Sequence, residues 1–211
     1  MNTPKILVGS PITSLKDYCI PDYVKGLKSL TYSPKQILVL DNSPQGKDLR
    51  EKFNLQNTKY LKTPHDSNVR KMLARERNFF KKKVLDEGFD YWLSLEQDVI
   101  PPANVIELLL QNKKQIVSAA YFNFSHEKQN AVPQPNMFSL INPRDTKTLI
   151  TRRLNFDDLW PSRLMKIFLS GFGCLLIHKS VLEQIDFRVE ENLAAYDDVF
   201  FCRDAQEKGF E

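Results

Sequence analysis

Cysteine is scarce in this chain. Its 211 residues include three, Cys19, Cys174 and Cys202. The number is odd and no two stand at a metal-ligand spacing, which argues against a disulfide framework or a zinc site and fits a reducing compartment. Long apolar runs are missing as well. The longest, Ile167 to Ile177, is 11 residues and contains Gly171 and Gly173, too short to span a bilayer. The opening MNTPKILVGSP has too short an apolar core for a secretory leader. Nor is there an excess of one charge: 30 Lys and Arg against 26 Asp and Glu leave a formal +4. That does not suit a nucleic-acid-binding chain. The expected location is cytoplasmic. Lys81-Lys82-Lys83 reads as a solvated helix face, the alternative being a peripheral contact with an anionic membrane surface.

What is present suits one soluble domain. Apolar residues make up 42% and charged residues 27%, ordinary for a globular protein of this length. There is no internal repeat. The apolar runs Lys5–Gly9, Gln36–Leu40, Thr58–Leu61, Tyr91–Leu95 and Gln115–Phe122 predict strands. Helices are expected over residues 17–30, 46–53, 69–87 and from Pro102 to Asn112, with Gly88 stopping the longest. Continuous apolar strands alternating with helices imply an α/β fold, its mostly parallel central sheet covered on both faces. Beyond residue 122 the pattern changes. Residues 123–136 read as a loop, 137–141 and 148–151 as short strands, and 152–163 as irregular. Leu164–Ile177 reads as a hairpin-like pair broken by Gly171-Phe172-Gly173, Ser180–Ile185 as a short helix, and Asp197–Lys208 as a last helix with Gly209 past its end.

In open parallel sheets ligands bind at the carboxyl ends of the strands. There the sequence places Gly9-Ser10-Pro11, Asp41-Asn42 and Glu96-Gln97-Asp98. Acids ending a buried strand need a cation or hydrogen bonds. Carboxylate oxygens are the usual ligands of Mg²⁺ or Mn²⁺ shared with substrate phosphates; a polar loop capping the next helix is the plain alternative. Arg77 lies at the edge of the long helix's apolar face and needs an anion: Glu76, an acid from the sheet, or a bound phosphate. Asp197-Asp198 opens the last helix, where acids are common for capping and dipole reasons alone.

Taken in order, Gly9-Ser10-Pro11, Asp41, ARERN (74–78), LEQDVIPP (95–102), SGFGCLLIHKSVLEQI (170–185) and YDDVFFCRDAQEKGF (196–210) resemble the GT-A glycosyltransferases, especially the inverting enzymes of glycosyltransferase family 2. The resemblance runs from Lys5 to Glu211 and implies one GT-A-type domain. Residues 1–122 would form its nucleotide-binding half and 123–211 its acceptor-binding half. It implies transfer of a sugar from a UDP- or GDP-linked donor to a hydroxyl of a glycan, a lipid-linked sugar or a protein, with Mn²⁺ or Mg²⁺ as cofactor. Carried over residue by residue, Asp41 would hold the base, Arg77 would contact the nucleotide, and Pro11 and Gln97 would line the donor site. Glu96 would reach the ribose and Asp98 would bind the metal. Asp198 would be the catalytic base, with Asp197 orienting it or raising its pKa. Gly171, Phe172, Gly173 and Trp160 would face the acceptor.

Two departures stand out. The acidic motif reads Glu-Gln-Asp where the family has Asp-x-Asp. After Gly209-Phe210-Glu211 the family continues with a strand and a histidine ligand, and His65, His126 and His178 do not occupy that place. This leaves two other readings. A nucleotidyltransferase would show a basic, Gly-rich loop after the first strand, whereas residues 9–15 contain no Lys or Arg. A non-catalytic nucleotide-sugar-binding scaffold would share the fold and lack the chemistry.

Overall fold

The computed structural model describes residues 3–127, 130–141 and 150–211, with no account of the side chains of 125–131. Its centre is a six-stranded sheet in the order β3-β2-β1-β4-β11-β5. The strands are β1 (Ile6–Ile12), β2 (Lys35–Asp41), β3 (Thr58–Lys62), β4 (Tyr91–Leu95), β5 (Ile116–Ser118) and β11 (Cys174–His178). β3, β2, β1 and β4 pair in parallel, and β11 runs antiparallel to both β4 and β5.

Side chains alternate across the strands, and each face has its own core. Ile6, Val8, Ile37, Val39, Leu93 and Leu95 face α1 (Ile20–Ser29) and α3 (Val105–Gln111). Leu7, Leu38, Leu40 and Trp92 face α2 (Val69–Asp86), α5 (Lys179–Leu182) and α6 (Asp197–Glu207). Helices therefore cover both faces, and strands buried on both sides carry the unbroken apolar runs read from the sequence. Trp92 anchors the second core. It stacks on Phe80 at 5.0 Å between ring centroids, and its indole N–H donates to Gly9 O at 3.1 Å. Burial of each such side chain stabilises the fold by about 1.5–3 kcal/mol. Gly9 has a positive φ of 153°, and a Cβ there would lie 1.8 Å from Leu38 O. Only glycine fits.

Several predicted elements differ. Gly9, Ser10 and Pro11 lie inside β1, which pairs with β2 as far as Ile12↔Asp41 but with β4 only as far as Gly9↔Ser94. The missing N–H of Pro11 is tolerated because β4 no longer pairs there. Pro102 stands before α3 and accepts a turn hydrogen bond from Val105 N. The predicted fifth strand stops at Ser118. The expected loop over 123–136 is instead an antiparallel hairpin of β6 (Phe122–Glu127) and β7 (Asn130–Pro135). β8 (Met137–Leu140) and β9 (Thr151–Arg153) pair, and the four-residue α4 (Phe156–Leu159) follows; of the predicted 148–151 strand, 148 and 149 lie outside the described residues. The two arms around Gly171–Gly173 do not pair with each other: β10 (Leu169–Ser170) joins β8, while β11 enters the central sheet.

Among the described residues no helix is long and apolar enough to cross a membrane. Each lysine of the 81–83 run carries an acid, Asp186, Asp86 and Glu87 respectively. A paired helix face accounts for that run.

Candidate functional site

The strand order turns back on itself between β1 and β4. β2 and β3 follow on one side of β1, and β4 lies on the other. The two strands stop pairing beyond Gly9 and Ser94, the switch point whose crevice at the carboxyl ends is where doubly wound sheets take their ligands.

The acidic motif borders this crevice, and each of its residues does something different. Gln97 is buried. Its Oε1 accepts from Thr13 N at 2.6 Å, and its Nε2 donates to Thr13 O at 3.1 Å and to Lys16 O at 2.9 Å. These bonds engage both ends of the amide on the loop after β1, so Gln97 shapes that loop. The clamp brings Lys16 to Asp98, whose Oδ2 accepts from Nζ at 2.7 Å. Glu96 turns the other way and accepts from Arg77 Nη2 at 2.8 Å.

Arg77 is 4% exposed, and its two terminal nitrogens are bonded while its buried Nε has no partner among the described residues. Its other terminal nitrogen donates to the fully buried Asp197, and its guanidinium lies 4.2 Å from the Phe172 ring centroid. Its partners are thus Glu96 and Asp197, while Glu76 bonds Asn42 and Thr63. Arg77 thus forms a buried brace joining α2, the end of β4 and the start of α6. Burial disfavours the Arg77 charge, and the carboxylates of Asp197 and Glu96 outweigh it, so its pKa lies above the ordinary value.

Asp41 is saturated. It is fully buried and accepts from Ser43 N at 2.8 Å, from Lys62 Nζ at 3.0 Å, and from the hydroxyls of Ser43 and Tyr60. Burial opposes its charge, and these donors hold its pKa below the usual carboxylate value. Asp41 therefore organises the strand end.

Asp198 differs from the other acids. Tyr196 occupies the N-cap position of α6, and Asp197 and Asp198 fall in the first turn. Asp198 is partly buried, and the hydrogen bond it accepts is from Val199 N at 2.8 Å. Burial raises its pKa, Arg77 opposes the shift and Asp197 adds to it. Glu96 is also raised by burial, against Arg77 and with Asp98. A carboxylate with a raised pKa and spare lone pairs is suited to take a proton.

The predicted acceptor residues separate. Phe172 is core, 1% exposed, packed against Trp92, Phe187 and Phe201. Gly171 and Gly173 lie under Tyr121. Trp160 is 78% exposed. A cavity of about 750 Å³ lies away from the acids. It lies between α3, β5, α6 and residues 159–168, and its lining includes Cys202, one helical turn from Asp198. Lys16 and Tyr121 were not among the expected site residues. Each is held by a distant partner, Gln97 for the loop of Lys16 and Asn136 for Tyr121.

No family model matches the chain, and no curated protein sequence does. Solved structures do match. The crystal structure of S. aureus TarS 1–349 superposes with a TM-score of 0.58 at 16% identity, over 95% of this chain and 55% of that one. The chain shares the TarS fold. The complex of TarS 1–349 with UDP-GlcNAc gives 0.57 at 15% identity, over 95% and 53%, and the UDP complex 0.53 at 15%, over 94% and 54%. The chain spans about half the length of these structures, and at such identities the likeness concerns the fold alone.

Proposed function

We propose that this protein is an inverting GT-A-type glycosyltransferase that moves a sugar from a nucleotide-diphosphate donor to an acceptor hydroxyl. The observation that carries the reading is Asp198. It is an unsaturated, partly buried acid with a raised pKa at the head of α6, held beside the crevice by the Arg77–Asp197 brace. The TarS fold supports it, because TarS 1–349 was crystallised with UDP-GlcNAc and with UDP.

In this scheme the nucleotide lies in the crevice between β1 and β4, and Glu96 is within reach of its ribose. Asp198 accepts the acceptor's O–H proton as the acceptor oxygen bonds to the anomeric carbon. The bond from that carbon to the diphosphate oxygen breaks, and the nucleoside diphosphate leaves with the electron pair. Asp197, fixed by Arg77, keeps α6 in register and raises the pKa of its neighbour. The cavity beside Cys202 is the acceptor side, and the acceptor is a glycan, a lipid-linked sugar or a protein hydroxyl.

Asp98 is the residue that would hold Mn²⁺ or Mg²⁺. The Lys16 ammonium, 2.7 Å away, is a stand-in for such a cation, and the carboxylate is accessible enough to exchange one for the other. When bound, the cation supplies charge neutralisation at the departing diphosphate. No group of three candidate ligands gathers among the described residues, so the remaining ligands would come from the diphosphate and water.

Calorimetric titration of UDP and of GDP, each with and without Mn²⁺, on the wild type and on Asp98→Asn tests this reading. Metal-enhanced binding of one nucleotide, weakened by the substitution, is expected. Folded protein that binds neither overturns it.

A further inference from the structure

The cavity beside Cys202 runs along α6. At one end is Cys202, one turn from Asp198. At the other are Phe210 and Glu211, past the end of α6, and Lys114, past the end of α3. Leu108 and Leu109 of α3, Val117 of β5, Phe201 and Ala205 of α6 and Leu164 of the covering segment give it an apolar wall. Its volume of about 750 Å³ is that of a ligand pocket.

The polar groups in that wall are engaged within the fold. The Ser118 and Ser170 hydroxyls bond each other at 2.8 Å. The Cys202 thiol donates to Ser170 O at 3.5 Å, and Gln206 Nε2 donates to Phe168 O at 2.8 Å and to Cys202 O at 3.0 Å. A glycan strand or a peptide laid here would bury hydroxyls or amides against an apolar wall, which is costly. An aliphatic chain has no such groups to lose and gains with every methylene removed from water. The rim is basic. Lys114 and Lys166 share Glu211, at 3.4 and 3.1 Å. Arg163 donates to Pro161 O at 3.3 Å and pairs with no acid among the described residues. Three cations against one carboxylate complement the anionic surface of a lipid layer.

We propose that the acceptor is a lipid-linked sugar. Its aliphatic chain lies in this cavity, and its sugar hydroxyl stands at the Cys202 end, toward Asp198. The inference rests on the nucleotide-sugar reading above and narrows the acceptor to one class.

The probes are dodecyl maltoside, kept below its micelle concentration, and maltose, the same sugar with and without a chain. Each is titrated by calorimetry, with UDP in parallel. Dodecyl maltoside should bind wild type about a hundredfold or more tighter than maltose. Leu108 and Leu164 are 45% and 56% exposed, so Leu108→Glu and Leu164→Glu should fold. Each should weaken dodecyl maltoside by about tenfold and leave UDP affinity unchanged. Leu61→Glu, on β3 at the opposite edge of the sheet, should change neither. A wild type that binds UDP but binds dodecyl maltoside no better than maltose overturns this inference alone. So does an equal loss in Leu61→Glu, which marks unspecific adsorption. A folded wild type that does not bind UDP overturns the nucleotide-sugar reading, and the acceptor assignment with it.

Discussion

Arg77 and Asp197 are 120 residues apart in sequence and form one buried ion pair at the base of the crevice. Arg77 is 4% exposed and Asp197 not at all. The pair joins α2 to α6, and the bond from Arg77 to Glu96 adds the end of β4. Removing the guanidinium would leave Asp197 charged and buried. Arg77→Met is expected to cost about 3–5 kcal/mol of stability, read as a lowered urea midpoint. Arg77→Lys should recover little of this, because an ammonium cannot span both acids and lie over Phe172 in the same way. A variant as stable as wild type would show that the brace is dispensable.

Asp41 predicts an acid limb in stability. Its folded pKa lies below the ordinary value of 3.8, so its contribution is complete above that value. It is lost as pH falls through the depressed folded value. Asp41→Asn should lower stability at neutral pH by about 1–3 kcal/mol and flatten that limb. Thermal melts between neutral pH and the acid range would show both effects. An unchanged limb would mean that Ser43, Tyr60 and Lys62 do not favour the charged form.

Lys16 competes with any cation at Asp98. Lys16→Met should tighten Mn²⁺ binding to the UDP complex several-fold, since a half-exposed pair is worth on the order of 0.2–1 kcal/mol. Titration of Mn²⁺ into the UDP-bound protein measures this. Weaker binding in the variant would instead place Lys16 among the groups that hold the diphosphate.

Much of the frame was legible in the sequence. β4 lies at the predicted residues, Tyr91–Leu95, and α2 ends within a residue of the expected stop before Gly88. Both have strong local signals, an apolar run in one case and an amphipathic period with a glycine stop in the other. The β6–β7 hairpin had none. Its strands contain Pro133 and Pro135 and lack an alternating apolar face, so they read as loop. Long-range partners were equally hidden. Nothing local to Arg77 tells that it meets Asp197 and not Glu76, and nothing local to β11 tells that it inserts between β4 and β5. Asp41 and the 96–98 acids stand at the strand ends where the sequence put them, because strand ends are readable. Which of them stays unsaturated depends on Ser43, Tyr60, Lys62, Arg77 and Lys16, and only the folded chain brings these into place.

The most direct test of the account is turnover of UDP-GlcNAc by wild type and Asp198→Asn, with the anomeric configuration of the first-formed product read by proton NMR. The account predicts UDP release with inversion by wild type, and a rate lower by about 10²–10⁴ in the variant with UDP affinity unchanged. Equal rates in the two proteins, or a product of retained configuration, would contradict it.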